Sequence, residues 1–144
     1  MYPKTKKTLH FLFTLGIAIV WLINGLICKL LNVVPRHQMI VSRILGAEHA
    51  YLFTKTIGLL EVLMAVWILS GIKHRFCTLA QIMLIAVMNT IEFILAPDLL
   101  LFGHVNALVA TLFILLILIN EYKLRQHKTT FTKQPNTEPY AGLS

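Results

Sequence analysis

Eight polar or ionisable side chains fall at a similar depth in four long apolar stretches of the sequence. They are Asn24, Lys29, Lys55, Glu61, Asn89, Glu92, His104 and Asn106. At 1.5 Å per helical residue, all of them lie within roughly 14 Å of the same end of those stretches. Amine, carboxylate, imidazole and amide groups gathered in an apolar setting can bind a small polar molecule or transfer protons. Their grouping therefore predicts a site, although it names no catalytic residue.

Glu61 is the member of this group that most needs a partner. Its helix can insert, because about −3 to −7 kcal/mol from the surrounding apolar residues outweighs the cost of a central charge, about +2.5 to +3.5 kcal/mol. An unpaired carboxylate would still be unstable there, so Glu61 is either protonated or paired with a cation. Lys29 and Lys55 are the candidate cations, and Lys29 is the predicted partner, with His104 as the second choice.

Helical spacing predicts that several of these side chains converge. The stripes are Thr54, Gly58 and Glu61 at i, i+4 and i+7, Trp21, Gly25 and Lys29 at i, i+4 and i+8, and Gln81, Asn89 and Glu92 within about 80°. By contrast, His104 and Asn106 are about 200° apart on an ideal helix. Both point inward only if that helix begins irregularly, which Gly103 would permit.

These positions divide into two predicted roles. The candidate ligand or proton site consists of Lys29, Glu61, Asn89, Glu92, His104 and Asn106. The residues expected to serve helix packing are Trp21, Asn24, Gly25, Gly58 and Gln81. Gln81 is the polar residue that departs from the common depth, towards the other end of the stretches. His10 and His74 are interpreted as residues that merely flank the helices.

The stretches that must position these side chains span residues 9–31, 52–72, 77–96 and 99–120. Each has about twenty residues, the length with which an α-helix crosses a hydrocarbon core of roughly 30 Å. The 144-residue chain is 57% hydrophobic with a mean hydropathy of +0.74, and its 13% of charged residues is far below the ~25% of soluble domains. The sequence predicts an all-α membrane protein, an antiparallel bundle of four transmembrane helices within residues 1–128.

The connections between the stretches complete this prediction. Short links at residues 71–75 and 97–98 make neighbouring helices antiparallel. In the long link, residues 32–51, apolar residues at helical spacing lie opposite Arg36 and Arg43. This pattern predicts a short interfacial helix, either a surface tether or a lid over an outward-facing cavity. After Tyr122 the composition turns to Lys, Thr, Gln, Pro and Asn, and residues 129–144 are predicted to be a disordered cytoplasmic tail.

Lysine and arginine counts beside the helix ends predict the orientation. The side of the N-terminus has nine: Lys4, Lys6, Lys7, Lys73, Arg75, Lys123, Arg125, Lys128 and Lys133. The other side has four: Lys29, Arg36, Arg43 and Lys55. Basic residues are enriched in cytoplasmic connections, so both termini are predicted to be cytoplasmic.

Several other kinds of site are disfavoured. The net charge of +7 does not indicate nucleic-acid binding, because the basic residues flank the apolar stretches rather than gather on a soluble domain. Glu61, Glu92 and His104 could ligate a metal, but no Glu-x-x-His repeat or facing histidines accompany them, so no metal or haem is predicted. Cys28 and Cys77 would lie near opposite ends, and neither belongs to a CxxC motif.

Two motifs and their order resemble a known family: Trp21-x-x-x-Gly25-Leu26-x-x-Lys29 in the first stretch and Gly58-Leu59-Leu60-Glu61 in the second. They resemble the DoxX-like family of small four-helix membrane proteins, and the likeness in layout covers about residues 12–120. The chain departs from it at Gly103-His104-Val105-Asn106, where the family often has proline. The resemblance implies a link to redox partners, since the family's namesake is a membrane subunit of a thiosulfate–quinone oxidoreductase.

Three functions are compatible with the residues. The first is a bacterial inner-membrane protein that holds a small molecule, such as a quinone headgroup, in an outward-facing polar pocket and works with a redox protein partner. There Glu61 would exchange a proton, Lys29 would pair with it or the ligand, and Asn89 and Asn106 would orient the ligand. The second is a non-catalytic membrane subunit or scaffold, or a homo-oligomer, whose polar layer only fixes helix packing. The third is a small transporter, which four unbroken helices without repeats disfavour.

Overall fold

The computed structural model describes the backbone of residues 2–100 and 103–125 and the side chains of residues 4–100 and 103–125. Within these ranges the chain is helical, without a strand. In chain order the helices are α1 (Tyr2–Leu22), continued by a π-helix (Ile23–Leu30), α2 (Arg36–Leu45), α3 (Ala50–Ser70), α4 (His74–Leu95), and α5 (Val105–Ile119), continued by a π-helix (Asn120–Leu124). A 3-10 turn (Pro97–Leu99) lies between α4 and α5.

Four segments are long and apolar enough to cross a membrane. They are Lys4–Leu30, Ala50–Ser70, His74–Leu95 and Val105–Leu124. The predicted all-α bundle of four spanning helices is confirmed, and the chain is an integral membrane protein surrounded by the lipid bilayer. Outward-facing side chains such as Leu63 and Leu112, at 53% and 57% exposed, contact this apolar solvent.

The fourth helix differs most from its predicted bounds. It begins at Val105 rather than near residue 99, because Pro97 opens the 3-10 turn and Gly103 adopts a left-handed conformation with φ of 54°. It also continues to Leu124 through its π-helical end, beyond the predicted end at Asn120. The predicted tail, residues 129–144, lies outside the described residues.

The four spanning helices form two close pairs. α1 with its π-helical continuation packs mainly on α3, and α4 packs mainly on α5. Apolar side chains such as Ile17, Met64, Ile85 and Ile117 fill the middle of the bundle. The contact between α1 and the fourth span is made chiefly by the π-helix Asn120–Leu124, so the two pairs diverge towards the other end.

That other end is covered by α2, the predicted short helix of the long connection. We call it the α2 end, and we call the opposite end, with Lys4 and Leu124, the terminal end. Ile40 and Val41 of α2 are buried, and the helix packs on α3. Arg43 donates a hydrogen bond to Asp98 and ties α2 to the turn before α5. This bond lowers the pKa of the Asp98 carboxyl below its usual value.

Candidate functional site

The centre of the site depends on a close crossing of α3 with the π-helix after α1. A Cβ atom placed on Gly25 would lie 2.5 Å from the Gly58 carbonyl oxygen and 2.9 Å from the Glu61 Cβ atom. One placed on Gly58 would lie 2.8 Å from both the Gly25 carbonyl oxygen and the Lys29 Cβ atom. Small residues permit such backbone contact between membrane helices. Each glycine therefore makes room for the charged residue of the other helix.

Lys29 and Glu61 form a buried ion pair at this crossing. Lys29 Nζ donates hydrogen bonds to Glu61 Oε1 at 2.6 Å and to Oε2 at 2.8 Å. The two residues are only 5% and 6% exposed. Helical side chains lean towards the N-terminus of their helix, so Lys29 reaches deeper into the bundle, where Glu61 lies. The pairing that the sequence favoured is present.

The π-helix keeps the stripe of Trp21, Gly25 and Lys29 aligned. Four residues exceed one turn of an α-helix, which has 3.6 residues, so a repeat of four drifts around the axis. The wider turn of a π-helix, closed by i→i+5 hydrogen bonds such as Leu31 N–H to Leu26 O at 2.8 Å, corrects this drift. All three residues of the stripe consequently lie buried on the face towards the bundle interior.

Lys55 does not join the ion pair. Its Nζ donates to the Leu30 carbonyl at the end of the π-helix and lies 5.1 Å from the centroid of the Tyr51 ring. The lysine thus satisfies a carbonyl that the helix end leaves without an intrahelical donor.

A cavity of about 360 Å³, here called the α2-end cavity, opens where the helix pairs diverge. Its polar border consists of Trp21, Asn24, His37, Glu61, Asn89, Glu92 and Asn106. α1 and its π-helical continuation, α2, α3, α4 and α5 all contribute to it. Its volume is at the lower end of the range for ligand sites, about 300–1,000 Å³. The remaining border is apolar, formed by side chains such as Met88 and Phe113.

Asn89 and Asn106 meet at the cavity, and His104 does not. Asn106 Nδ2 donates to Asn89 Oδ1 at 2.8 Å, and Asn89 Nδ2 donates to the Ile85 carbonyl at 2.8 Å. His104 is exposed at the start of α5, with its ring edge-on to Phe93 at 5.3 Å between centroids. The left-handed Gly103 gives the helix an irregular start, but only Asn106 turns inward. His104 is therefore separate from the other candidate site residues.

Three cavity side chains keep unused hydrogen-bonding capacity. Within residues 4–100 and 103–125, the side chains of Asn24, His37 and Glu92 make no hydrogen bond. Burial, together with the positive charges of Lys29 and Arg36, lowers the pKa of His37 from its usual 6.5 to about 4. His37 is therefore neutral at pH 7 and can both donate and accept a hydrogen bond.

A second polar group, which was not predicted from the sequence, lies at the terminal end and is here called the Glu121 cluster. It consists of His10, Thr14, His74, Asn120, Glu121 and Arg125. His74 Nδ1 contacts Glu121 Oε1, and Arg125 Nε forms an ion pair with Glu121 Oε2 at 3.2 Å. The prediction that His74 only flanks its helix was wrong, because it pairs with a carboxylate that is 4% exposed.

Asn120 holds the other half of the Glu121 cluster together. His10 Nδ1 donates to Asn120 Oδ1 at 2.9 Å, and Asn120 Nδ2 donates to Thr14 Oγ1 at 2.9 Å. His10 is thereby half-buried between α1 and the end of the fourth span, so its prediction as a mere flanking residue was also wrong.

A much smaller cavity of about 30 Å³, the terminal-end cavity, lies beside the Glu121 cluster. His74, Glu121, Thr78 and Gln81 are among the residues that border it. Its volume accommodates one or two water molecules and no larger ligand. The terminal end therefore offers hydrogen bonds without space for a ligand.

Gln81 and Trp21 link the two regions. Trp21 Nε1 donates to Gln81 Oε1 at 3.0 Å, and Gln81 Nε2 donates to Cys77 Sγ at 3.7 Å. Both residues are buried, as their predicted packing role requires. Gln81 is thus one member of a polar series that continues to the terminal end.

The sequence contains signals for the residues that were missed. His37 precedes Ile40, Val41 and Ile44 at i, i+3, i+4 and i+7, which places it on the buried face of α2. Likewise, the stripe formed by Ile117, Asn120, Glu121 and Leu124 has the same spacing. Including the polar residues that continue these apolar stripes would have identified both His37 and Glu121 as interior residues.

The chemistry available at the α2-end cavity is hydrogen bonding and proton exchange. Carboxylates, amides and a neutral imidazole can bind carbonyl or hydroxyl groups and accept or donate a proton. Among the described residues, no three of His, Cys, Asp and Glu form a group that could hold a metal ion.

The comparisons with known proteins bear on the same residues. A family model described as the DoxX-like family matches residues 18–119, a range that includes both glycine motifs and the start of α5. The resemblance noted in the sequence is thereby confirmed. No curated protein and no solved structure matches the chain significantly.

Proposed function

The chain belongs to the DoxX-like family, and we propose that it binds a small molecule with a polar head, a quinone in the first instance, in the α2-end cavity. The observation that carries this proposal is a cavity of about 360 Å³ bordered by Asn24, His37 and Glu92, whose side chains make no hydrogen bond within the described residues. Half-buried polar groups with spare hydrogen-bonding capacity beside free volume are typical of a ligand site.

The residues fit a ring with carbonyl or hydroxyl oxygens. Asn106 and Asn89 each use one N–H of the side-chain amide in the bonds described above, so each keeps a second N–H for a ligand oxygen. Glu92 can accept a hydrogen bond from a hydroxyl group. Apolar side chains such as Phe113 and Met88 suit the faces of a ring.

In this proposal Glu61 exchanges a proton with the bound molecule. Lys29 holds the carboxylate in place by two hydrogen bonds and compensates its charge when the proton leaves. A bound quinone would supply the redox chemistry. A redox protein partner then supplies or takes the electrons, in agreement with the role that the family resemblance implies.

Tryptophan fluorescence offers a direct test, because Trp21 borders the cavity. The chain has two tryptophans, so Trp67→Phe leaves Trp21 as the single reporter. We expect a soluble short-chain quinone to quench this emission to saturation. Adding Glu61→Gln should weaken the apparent affinity by about tenfold, as expected for the loss of a hydrogen bond to a charged group.

Glu121→Gln is the matched control for that experiment. It makes the same chemical change at a glutamate that is equally buried but lies away from the α2-end cavity. Quenching that saturates in the control and weakens in Glu61→Gln would support the proposal. Quenching that rises linearly and equally in all variants would contradict it, because that is the behaviour of quinone dissolved in the detergent.

A second candidate, a non-catalytic membrane subunit, is favoured by one observation. Lys29 with Glu61, and Asn89 with Asn106, already satisfy one another in the way that polar groups join membrane helices. If this is their whole role, Lys29→Met and Asn106→Leu lower the thermal stability, while mass spectrometry of the gently purified wild type finds only bulk lipid.

We also propose a bacterial inner-membrane location with both termini in the cytoplasm. The excess of lysine and arginine at the terminal end supports this orientation. In intact cells, an impermeant thiol reagent should label Glu48→Cys, in the link after α2, and should leave Lys73→Cys unlabelled. The reverse pattern would show the opposite orientation.

A further inference from the structure

The two cavities adjoin along the axis of the bundle. On three helices, neighbouring residues of one stripe border first the terminal-end cavity and then the α2-end cavity. These pairs are Ile17 and Trp21 on α1, Gln81 and Ile85 on α4, and Ile117 and Phe113 on α5. Four residues span about 6 Å along a helix, so a single layer of side chains separates the cavities.

The polar members of that layer are Trp21 and Gln81. Their hydrogen bond of 3.0 Å joins a residue that borders one cavity to a residue that borders the other. Gln81 continues the series to Cys77, which also borders the terminal-end cavity. Polar groups therefore lie in the layer between the cavities, and Glu121 borders the cavity on one side of it while Glu61 borders the cavity on the other.

We propose that protons pass from the Glu121 cluster to Glu61 through the two cavities, and that the Trp21–Gln81 hydrogen bond closes this path in the present structure. A proton enters from the water at the terminal end through His74 and Glu121. It crosses the terminal-end cavity on the one or two water molecules for which there is room. When the Trp21–Gln81 contact opens, the proton passes to the Glu61 carboxylate and leaves through the α2-end cavity.

The chemistry of the membrane interior supports this assignment. Ionisable side chains inside a membrane bundle are costly, and chains of carboxylate and histidine residues there are typical of proton relays. Here buried glutamates lie on both sides of one hydrogen-bonded layer, Glu61 at 6% and Glu121 at 4% exposed. Packing alone requires neither glutamate on the axis, because apolar residues would fill the same positions.

The path does not depend on ligand binding, so it can be tested without a ligand. Purified protein is placed in liposomes that contain a pH-sensitive dye, and a potassium gradient with valinomycin drives protons across the membrane. We expect Trp21→Ala and Gln81→Ala to raise the proton flux above that of the wild type by about tenfold, the change expected when a barrier falls by the equivalent of one hydrogen bond. Leu63→Ala, on the lipid-facing side of α3, should match the wild type.

Double variants distinguish a proton path that uses the two carboxylates from a non-specific leak of water or ions. Trp21→Ala combined with Glu61→Gln, and separately with Glu121→Gln, should return the flux to the wild-type value, because each removes one proton-carrying group. Flux that stays high in both double variants would overturn the proposal, since water or ions would then pass without either carboxylate. The absence of a rise in both Trp21→Ala and Gln81→Ala, with the thermal unfolding of each variant showing that it is folded, would overturn it equally.

Discussion

The α2-end cavity and the Glu121 cluster contain similar side chains in different surroundings. Each holds a buried glutamate paired with a basic residue, Lys29 in the first and Arg125 in the second. At the α2 end, His37 and Glu92 border about 360 Å³ of free space. At the terminal end, the polar groups bond to one another around about 30 Å³. Free space beside the polar residues therefore distinguishes the proposed ligand site from the Glu121 cluster.

The difference arises from the way the helices pair. α1 is drawn onto α3 by the contact between Gly25 and Gly58, and it meets the fourth span mainly at Asn120–Leu124. The helix pairs consequently close at the terminal end and open at the α2 end. Each polar region also coincides with a π-helix, a local distortion that is frequent at functional sites.

The largest expected effect comes from breaking the ion pair at the α2 end. Lys29→Met leaves the Glu61 carboxylate buried without its cation, so the free energy of unfolding should fall by about 3–5 kcal/mol. Adding Glu61→Gln should recover much of this loss, because no buried charge remains. Thermal unfolding in detergent measures both. A double variant no more stable than Lys29→Met would show that Glu61 is not a costly buried charge once Lys29 is removed.

A smaller effect is expected from the corresponding change at the terminal end. Glu121→Gln removes the ion pair with Arg125 and weakens the contact with His74, and it should cost about 1–3 kcal/mol. The loss should be smaller than for Lys29→Met, because the partly exposed Arg125 side chain can turn to solvent. The same unfolding measurement, made beside Lys29→Met, gives the ranking. Equal losses would remove the energetic distinction between the two regions.

The pH dependence of stability should distinguish His37, which borders the α2-end cavity, from the exposed His104. The unfolded chain binds a proton at His37 near pH 6.5, whereas the folded protein does so only near pH 4. Stability due to neutral His37 is therefore lost as the pH falls from 6.5 to 4, by no more than about 1.4 kcal/mol per pH unit. In His37→Gln, the thermal unfolding temperature should therefore change less with pH between pH 6.5 and pH 4. His104→Gln is the matched control at an exposed histidine. Its thermal unfolding temperature should change more steeply with pH than that of His37→Gln.

The smallest effect is expected at the surface pair that ties α2 to the bundle. The Arg43 hydrogen bond lowers the pKa of Asp98, so its stabilisation is present above the usual pKa and is lost as the pH falls through the lowered value. Arg43→Gln should thus cost little at neutral pH, and the difference from the wild type should shrink in acid and in high salt. A large loss at neutral pH would mean that α2 is held mainly by this pair rather than by Ile40 and Val41.

The site could be predicted from the sequence wherever it depended on stripes within one helix. The common depth and the need of a buried carboxylate for a cation led to the predicted pair of Lys29 and Glu61, and Gln81 was assigned to helix packing. His104 was placed in the candidate site with Asn106, whereas in the structure only Asn106 borders the cavity, because the direction of a side chain at a helix start depends on where the turn before it ends. His37 and Glu121 were missed because both lie outside the four predicted apolar stretches in which polar residues were compared.

The sequence by itself determined four membrane-spanning helices, a short amphipathic helix and, within the predicted helices, which polar residues share a face. These follow from hydrophobicity and helical periodicity, which are properties of contiguous residues. Only the tertiary structure decided which polar groups satisfy one another, where free volume remains and that Trp21 and Gln81 separate two cavities. Those features depend on how far apart whole helices lie, and that distance is set by contacts such as Gly25 with Gly58 between distant parts of the chain.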